Sequence, residues 1–387
     1  MTLKKFVLIA HLWLGLASGL IVLFLGITGC MLAFEREIEN VTQSYRFVQE
    51  EERPMVSPSK VKEIATTALP GKSLHSVTYE GGKKAIQASF YNADPEYYYI
   101  VFINPYSGEV LKIKNMNRDF FRVVIMGHYY LWLPPTIGQP IVASATLIFF
   151  IMLVTGIILW WPQNSAARKQ RFSIKWSAKW RRVNYDVHNV LGFYVTWVII
   201  FIVITGLVWG FQWVSKSMYY TLSGGKKLIL YEETFSAPKP ASFSSSGPAV
   251  DRIWQIMKKE HSNAQLIEVH YPENDSVAIE AVANPDASTY WKSDYRYFDQ
   301  YTLKEIPVRH IYSRFKDAKL GDKVLRMNYD VHVGAILGLP GKVMAFFASL
   351  IAASLPVTGV IIWWGKKKKK KYHPVTVKAP EKEYQKS

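Results

Sequence analysis

Four apolar stretches, near residues 7–34, 139–161, 187–214 and 341–364, are each long enough to cross the roughly 30 Å hydrocarbon core of a bilayer, which takes about 20 helical residues. In hydrocarbon every backbone N–H and C=O must be satisfied within its own segment, so each stretch reads as a transmembrane helix. Charged residues still make up 20% of the 387-residue chain, which leaves sizeable soluble parts between the spans.

Much of the net charge of +17 is placed where it sets orientation. Lys4 and Lys5 precede the first span. Arg168, Lys169, Arg171, Lys175, Lys179, Arg181 and Arg182 follow the second, and Lys366 to Lys371 follow the fourth. Four crossings from an inside N-terminus put all three clusters on one side, so both termini and the 162–186 loop are expected in the cytoplasm of a bacterial inner membrane. Trp160, Trp161, Trp363 and Trp364 read as aromatic anchors at that interface. The lysine run is expected to attract anionic lipid or an acidic redox partner, not nucleic acid. The first span is far longer than a signal-peptide core, so Ile27-Thr28-Gly29-Cys30 is read as part of an uncleaved helix. Cys30 is the only cysteine. Disulfides, cysteine zinc sites, iron–sulfur clusters and covalent CxxCH haem attachment are excluded within one chain.

The chain is internally duplicated. "HLWLG…GITG" at 11–29 matches "HNVLG…VITG" at 188–206, with 17 residues from histidine to threonine in both. "HYYLWLPPTIGQP…VTGIILWWP" at 128–162 matches "HVGAILGLPGK…VTGVIIWWG" at 332–365, with spacings of 27 and 26. Each copy is a helix, an outer segment and a helix, and both start on the same side, as parallel repeats do. The outer segments each open with a helical pattern, at 57–70 and 247–261, and then alternate like strands, as in "KAIQASFY" and "YYYIVFIN". "NPYSGEVLKI" at 104–113 reads as strand, turn, strand, with "DQYTLKEIPV" at 299–308 as its counterpart lacking the glycine. The Pro- and Ser-rich stretch 237–248 reads as a loop. The expected fold is an α-helical membrane protein with four transmembrane helices in two parallel repeats and two small α+β modules facing outward.

Each span has a histidine near one end: His11 and His188 open the first and third, and His128 and His332 precede the second and fourth. A histidine at membrane depth is costly and is by default a functional candidate. A lone one is as readily a snorkelling or satisfied side chain, but four in symmetric pairs point to ligands. Histidine supplies a neutral imidazole nitrogen suited to iron, and a haem between helices takes one axial ligand from each side. Two haems, one between His11 and His188 and one between His128 and His332, are the expectation. All four spans also carry Thr-Gly, with the glycines at Gly29, Gly156, Gly206 and Gly359, at the depths of the histidines. These glycines either admit a flat macrocycle or pack helices together. "NYDVH" occurs at 184–188 and 328–332. Its Asp186 and Asp330 are expected to cap helix starts, the alternative being to orient a neighbouring group. His75, His261, His270, His310 and His373 read as solvated or structural.

"NYDVHNVLGFY", "LPVTGVIIWW" and "NPYSGEVL" together resemble motifs of the PepSY-associated transmembrane family, and the resemblance covers nearly the whole chain. It implies PepSY-like outer domains and bis-histidine ligation of two b-type haems by His11, His128, His188 and His332. Family members include di-haem ferric-siderophore reductases of the inner membrane, and some relatives carry a fused flavin reductase domain, which is not expected here. The resemblance therefore implies an oxidoreductase that moves electrons from a cytoplasmic or quinone-type donor to a ferric siderophore in the periplasm, releasing the iron. A non-redox membrane binding or regulatory protein and a siderophore transporter are the rival readings. The outer aromatic residues Tyr97, Tyr98, Tyr99, Tyr129, Tyr130 and Trp132 either touch the acceptor or form strand core and interface belt, the latter being expected. The expected divisions are a first helix at 1–34, an outer domain at 35–127, juxtamembrane segment and second helix at 128–161, a basic loop at 162–186, a third helix at 187–214, a second outer domain at 215–331, juxtamembrane segment and fourth helix at 332–364, and a basic tail at 365–387.

Overall fold

The computed structural model describes residues 1–162, 164, 168, 171–241 and 247–370, so Lys169, Lys371, His373, the tail from 371 and part of the Ser-rich loop lie outside the described residues. Four helices are long and apolar enough to cross a membrane. They are α1 (Leu3–Ala33), α5 (Pro135–Trp160), α6 (Trp180–Gly210) and α11 (Gly338–Lys370). At 1.5 Å per residue, the 31 residues of α1 run about 46 Å, well past the hydrocarbon itself. The third span differs from its expected limits: the helix begins at Trp180 and stops at Gly210, where Phe211 turns extended and a new helix α7 (Gln212–Leu222) starts. Hydropathy marks the apolar stretch; charged turns such as Arg181–Arg182 extend the helix into water at no cost in burial.

The four helices form a square in which α1 and α6 each pack against α5 and α11, so α1 and α6 lie on one diagonal. Close approach depends on small residues, as helix packing in lipid does. A Cβ at Gly26 would lie 2.8 Å from Ala353 Cβ, and one at Gly210 would lie 2.9 Å from Ala143 Cβ. The interior between the two ends is apolar, built from Leu153, Val195, Ile199, Val203 and Ala352.

Both outer segments leave the bundle at the end where α1 and α6 finish. The first gives α2 (Glu35–Thr42), α3 (Pro58–Ala68), strands β1 (Leu74–Tyr79), β2 (Ile86–Ala93), β3 (Glu96–Ile103) and β4 (Val110–Asn115), then α4 (Phe120–Tyr130). The second gives α8 (Ala249–Glu260), β5 (Leu266–His270), β6 (Ile279–Asn284), β7 (Asp294–Phe298), β8 (Glu305–Ile306) and the short helices α9 (Leu320–Arg326) and α10 (Asn328–His332). The predicted helical starts and the 104–113 hairpin fall on α3, α8 and the β3–β4 turn. In the counterpart turn Leu303 takes the left-handed conformation (φ 57°) that Gly108 takes in the first (φ 76°).

Where two separate outer modules were expected, the strands form one eight-stranded antiparallel sheet in the order β4-β3-β2-β1-β5-β6-β7-β8. The seam is β1 against β5, with Val77 opposite Val269 and Thr78 opposite Glu268. Each segment alone would leave its first strand as an unpaired edge, and pairing the two removes both edges. Helices α3 and α8 cover one face over a single core that includes Val61, Ile253, Met257, Val77, Phe90 and Val269. Bonds across the halves join them further: Tyr271 Oη donates to the Pro58 carbonyl at 2.6 Å, and Asp251 accepts from the Ser59 amide at 2.7 Å.

In a Cys30→Ser background, Thr78→Cys and Glu268→Cys should form a disulfide on mild oxidation, because directly opposed Cβ atoms lie about 4.5–5.5 Å apart. The halves should then stay joined on a non-reducing gel after cleavage in the 162–186 loop. Thr78→Cys with Ile267→Cys, one residue out of register and on the opposite face, should not.

Candidate functional site

Each of the four histidines reaches across to the threonine of a Thr-Gly pair on another helix. His11 Nδ1 of α1 lies 2.8 Å from Thr155 Oγ1 of α5, and His188 of α6 lies 2.8 Å from Thr358 of α11. At the sheet end, His128 of α4 lies 2.8 Å from Thr28 of α1, and His332 of α10 lies 2.9 Å from Thr205 of α6. The direction of these bonds follows from the threonines. Each hydroxyl sits against main-chain carbonyls of its own helix: Thr28 on Phe24, Thr155 on Ile151, Thr205 on Phe201 and Thr358 on Ser354, at 2.8–3.1 Å. The one hydroxyl proton goes to a carbonyl, so the oxygen accepts from Nδ1–H. His332 Nδ1 also lies 3.0 Å from the Ile202 carbonyl, which can only accept. All four rings are thereby held as the Nδ1–H tautomer, with the Nε2 lone pair free to ligate.

The glycines complete the seats. A Cβ on Gly156, Gly29, Gly359 or Gly206 would lie 3.6, 3.7, 3.5 or 3.6 Å from Cε1 of His11, His128, His188 or His332 respectively. Threonine anchors Nδ1 and the next residue stands beside the adjacent ring edge, and Gly29 and Gly206 also line the cavity at the sheet end.

The duplicated "NYDVH" adds a further clamp. Asn184, four residues before His188, donates to the Thr358 carbonyl at 3.1 Å, and Asn328, four before His332, donates to the Thr205 carbonyl at 3.1 Å. Asparagine and histidine share a helical face, so both grip one Thr-Gly pair. Sequence reading passed over this asparagine, although its i, i+4 spacing was the available signal. His11 and His128 have Val7 and Val124 at the same offset. The capping expectation for the aspartates is corrected. Asp186 lies inside α6 and accepts from Arg182 Nε at 2.8 Å and the Lys175 amide at 3.3 Å. Asp330 accepts from the amides of Tyr290 and Trp291, tying α10 to the loop after β6.

Tight turns aim the sheet-side histidines back at the bundle. After α4, Leu131 and Trp132 are left-handed (φ 55° and 58°), and a Cβ at Gly138 would lie 2.0 Å from the Tyr130 carbonyl oxygen. After α10, Gly334 and Gly341 stack backbone on backbone, where a Cβ on either would come within 2.2 Å of the other's carbonyl. The ring centroids of His128 and His332 then lie 6.3 Å apart with planes 75° apart. Two imidazoles sharing one metal at about 2 Å have centroids about 6 Å apart, so this separation would let both rings hold one metal. Both line a 530 Å³ cavity bounded mainly by apolar and small residues, among them Gly26, Ala143, Phe149 and Val203. No group of three or more His, Cys, Asp or Glu able to hold a bare ion occurs among the described residues. Two imidazoles in an apolar slot suit a metal that brings its other ligands with it, as a macrocycle does. At the far end, His11 and His188 project from the diagonal helices α1 and α6 and lie within electrostatic range of each other.

Of the outer aromatic residues, Tyr129 and Tyr130 line the cavity. Tyr97 and Tyr99 pack on the sheet core, Tyr98 packs on the opposite face, and Trp132 folds back to donate to the Val123 carbonyl at 2.8 Å. Trp160 is no interface anchor. It is buried, stacked on Phe193 at 3.7 Å, while Trp161 and Trp364 are exposed. His261 pairs with Asp294 at 3.3 Å, and His75 packs on His270 at 4.9 Å.

Glu35, at the start of α2, is the cavity's carboxylate, and no motif announced it. Burial, and then the neighbouring Glu39 and Asp119, push its carboxyl up to about 7, against the opposing pull of Lys114 and Arg46. Between the ordinary 4.5 and about 7 the folded chain binds a proton that the unfolded chain has lost. This group's contribution to stability is therefore greatest at the acid end of that window and is lost as pH rises through it. In thermal melts Glu35→Gln should match the parent near the acid end and exceed it at higher pH; a constant gap would overturn the assignment. Gly206→Ala should be tolerated, its methyl standing at ordinary contact 3.6 Å from His332. Gly206→Val should cost about 1–3 kcal/mol in denaturant titrations by driving the ring off Thr205.

A search of curated proteins returned no match. The model of the PepSY-associated TM region matches residues 8–366, and the chain, with its four apolar helices and joined outer sheet, belongs to that family.

Proposed function

We propose that this protein carries electrons across the bacterial inner membrane and reduces a ferric siderophore on the periplasmic side, releasing the iron. The observation that carries the reading is the fourfold seat: four imidazoles, each locked by a threonine with Nε2 left free, two at each end of one bundle. His11 with His188, and His128 with His332, would each hold one haem b. Haem supplies reversible one-electron exchange at iron, which needs no acid or base from the protein. The protein's part is to fix ligand tautomer and ring orientation, to exclude water and to set the two levels. His11 and Thr28, whose hydroxyl holds His128, are 17 residues apart on α1, about 26 Å. One centre could not serve both faces over that length, and two divide it.

The basic clusters support placing both termini inside and the sheet in the periplasm, with the two sequence copies as parallel repeats about an axis normal to the membrane. His11 and His188 would hold the group that faces a soluble or quinone-type donor, and His128 and His332 would hold the one nearest the sheet, each supplying one-electron exchange when bound. The apolar interior between the levels disfavours a siderophore transport path.

Expression with haem available, followed by oxidised and dithionite-reduced spectra, should give two b-type haems per chain. His332→Ala should lose one. Thr205→Val should keep both but shift the potential of one, because the Nδ1–H bond that tunes that imidazole is gone. Proteoliposomes with reductant inside should reduce an external ferric siderophore. Absence of haem after reconstitution would sink the relay and favour a non-redox binding role.

A further inference from the structure

A second cavity, of 360 Å³, opens at the β7–β8 edge, away from the histidine pairs. Tyr219 and Ser223 of α7, residues 226–229, β7, β8, the 307–314 segment and the start of α9 enclose it. His310 lines it while only 3% exposed, and neither of its ring nitrogens has a hydrogen-bond partner. Tyr231 and Tyr297 flank the ring, with centroids 5.2 and 5.3 Å away. A buried polar atom left unpaired has given up its water for nothing, so a ring stranded in this way points to a partner that enters the cavity.

The charge of the walls says what kind of partner. Lys226, Lys227, Arg296, Arg309, Arg314 and Lys319 line the cavity against only Glu305, Asp317 and Asp322. Arg296 and Arg314 are engaged by Glu260 and Glu305. Lys226, Lys227 and Arg309 stand exposed around His310 with no carboxylate partner among the described ion pairs. An oxyanion would meet a ring N–H at the bottom and cations at the rim, the pairing that makes charge-assisted bonds strong.

We propose that this cavity binds a phosphate group, held between the buried His310 and the cationic rim. The phosphate comes either from a membrane phospholipid or from solution. Position supports the lipid: α7 starts one residue after α6 leaves the bundle and exposes Trp213 and Tyr220, as interfacial helices do.

The test uses the full-length protein, delipidated in uncharged detergent, with thermal unfolding followed during titration. One arm adds inorganic phosphate; the other adds short-chain phosphatidylglycerol. Stabilisation by both assigns a general phosphate site, and by phosphatidylglycerol alone a headgroup site. In either case the combined Lys226→Ala, Lys227→Ala and Arg309→Ala variant should bind about tenfold or more weakly. Its three positions are exposed, so it should fold and keep the parent's unliganded melting temperature. His310→Gln is the second variant, and should weaken binding with the rim intact. No shift in the parent in either arm, or equal shifts in parent and rim variant, would overturn the proposal.

Discussion

The contact on which the arrangement depends is the hydrogen bond from a histidine Nδ1–H to a threonine hydroxyl on another helix, made four times at 2.8–2.9 Å. In lipid a threonine hydroxyl normally turns back onto its own helix, and these four do so with their proton. The oxygen's remaining lone pairs then provide one acceptor at a fixed height on the helix. A histidine docking there loses rotational freedom and tautomeric choice together. The following residue must stay small, since a methyl there stands at ordinary contact with Cε1 and a larger side chain would occupy that edge. Each bond also links neighbouring sides of the square: α1 to α5, α6 to α11, and the two juxtamembrane helices to α1 and α6. The same contacts that orient the rings thus set the register of the bundle.

The sheet imposes the second constraint. Two segments inserted at the same end of the bundle pair through their first strands and share one core under α3 and α8. This closes the molecule at that end as a single body. Asp330, through the Tyr290 and Trp291 amides, and Arg326, through the carbonyls of Ile311, Ser293 and Ser313, fasten α9 and α10 to the sheet domain. His332 is the last residue of α10, so its position is set from both sides, by the bundle through Thr205 and by the sheet through Asp330. Glu39 of α2 and Asp119 at the start of α4 do similar work through their shared ion-pair partner, Lys114 of β4.

Much of this was legible in the residues. Hydropathy located four helices, because burial of apolar length in lipid leaves no other regular solution. The duplication set the histidines and Thr-Gly pairs in matching positions, and their depths followed from counting along a helix. Turn chemistry located the hairpins, even where Leu303 replaced a glycine. Asp186 and Asp330 were misread because a local capping rule was applied to residues whose partners lie elsewhere: on Lys175 before the helix, and on a loop some forty residues away. Trp160 was misread for a related reason, since a tryptophan at a span's end is as able to stack on Phe193 as to face lipid.

What the sequence determined by itself is the content of each element: which stretches enter the membrane, which alternate as strands, and which side chains can ligate. These depend on periodicity and composition, which are local. Which histidine meets which threonine, that the outer segments share one sheet, and that His310 is buried without a partner were decided by tertiary structure alone. Each is a relation between positions more than about 80 residues apart or a property of a cavity that several elements build together. The energies that select it, hydrogen bonds in a dry interior and the pairing of exposed strand edges, exist only once the helices and strands have met.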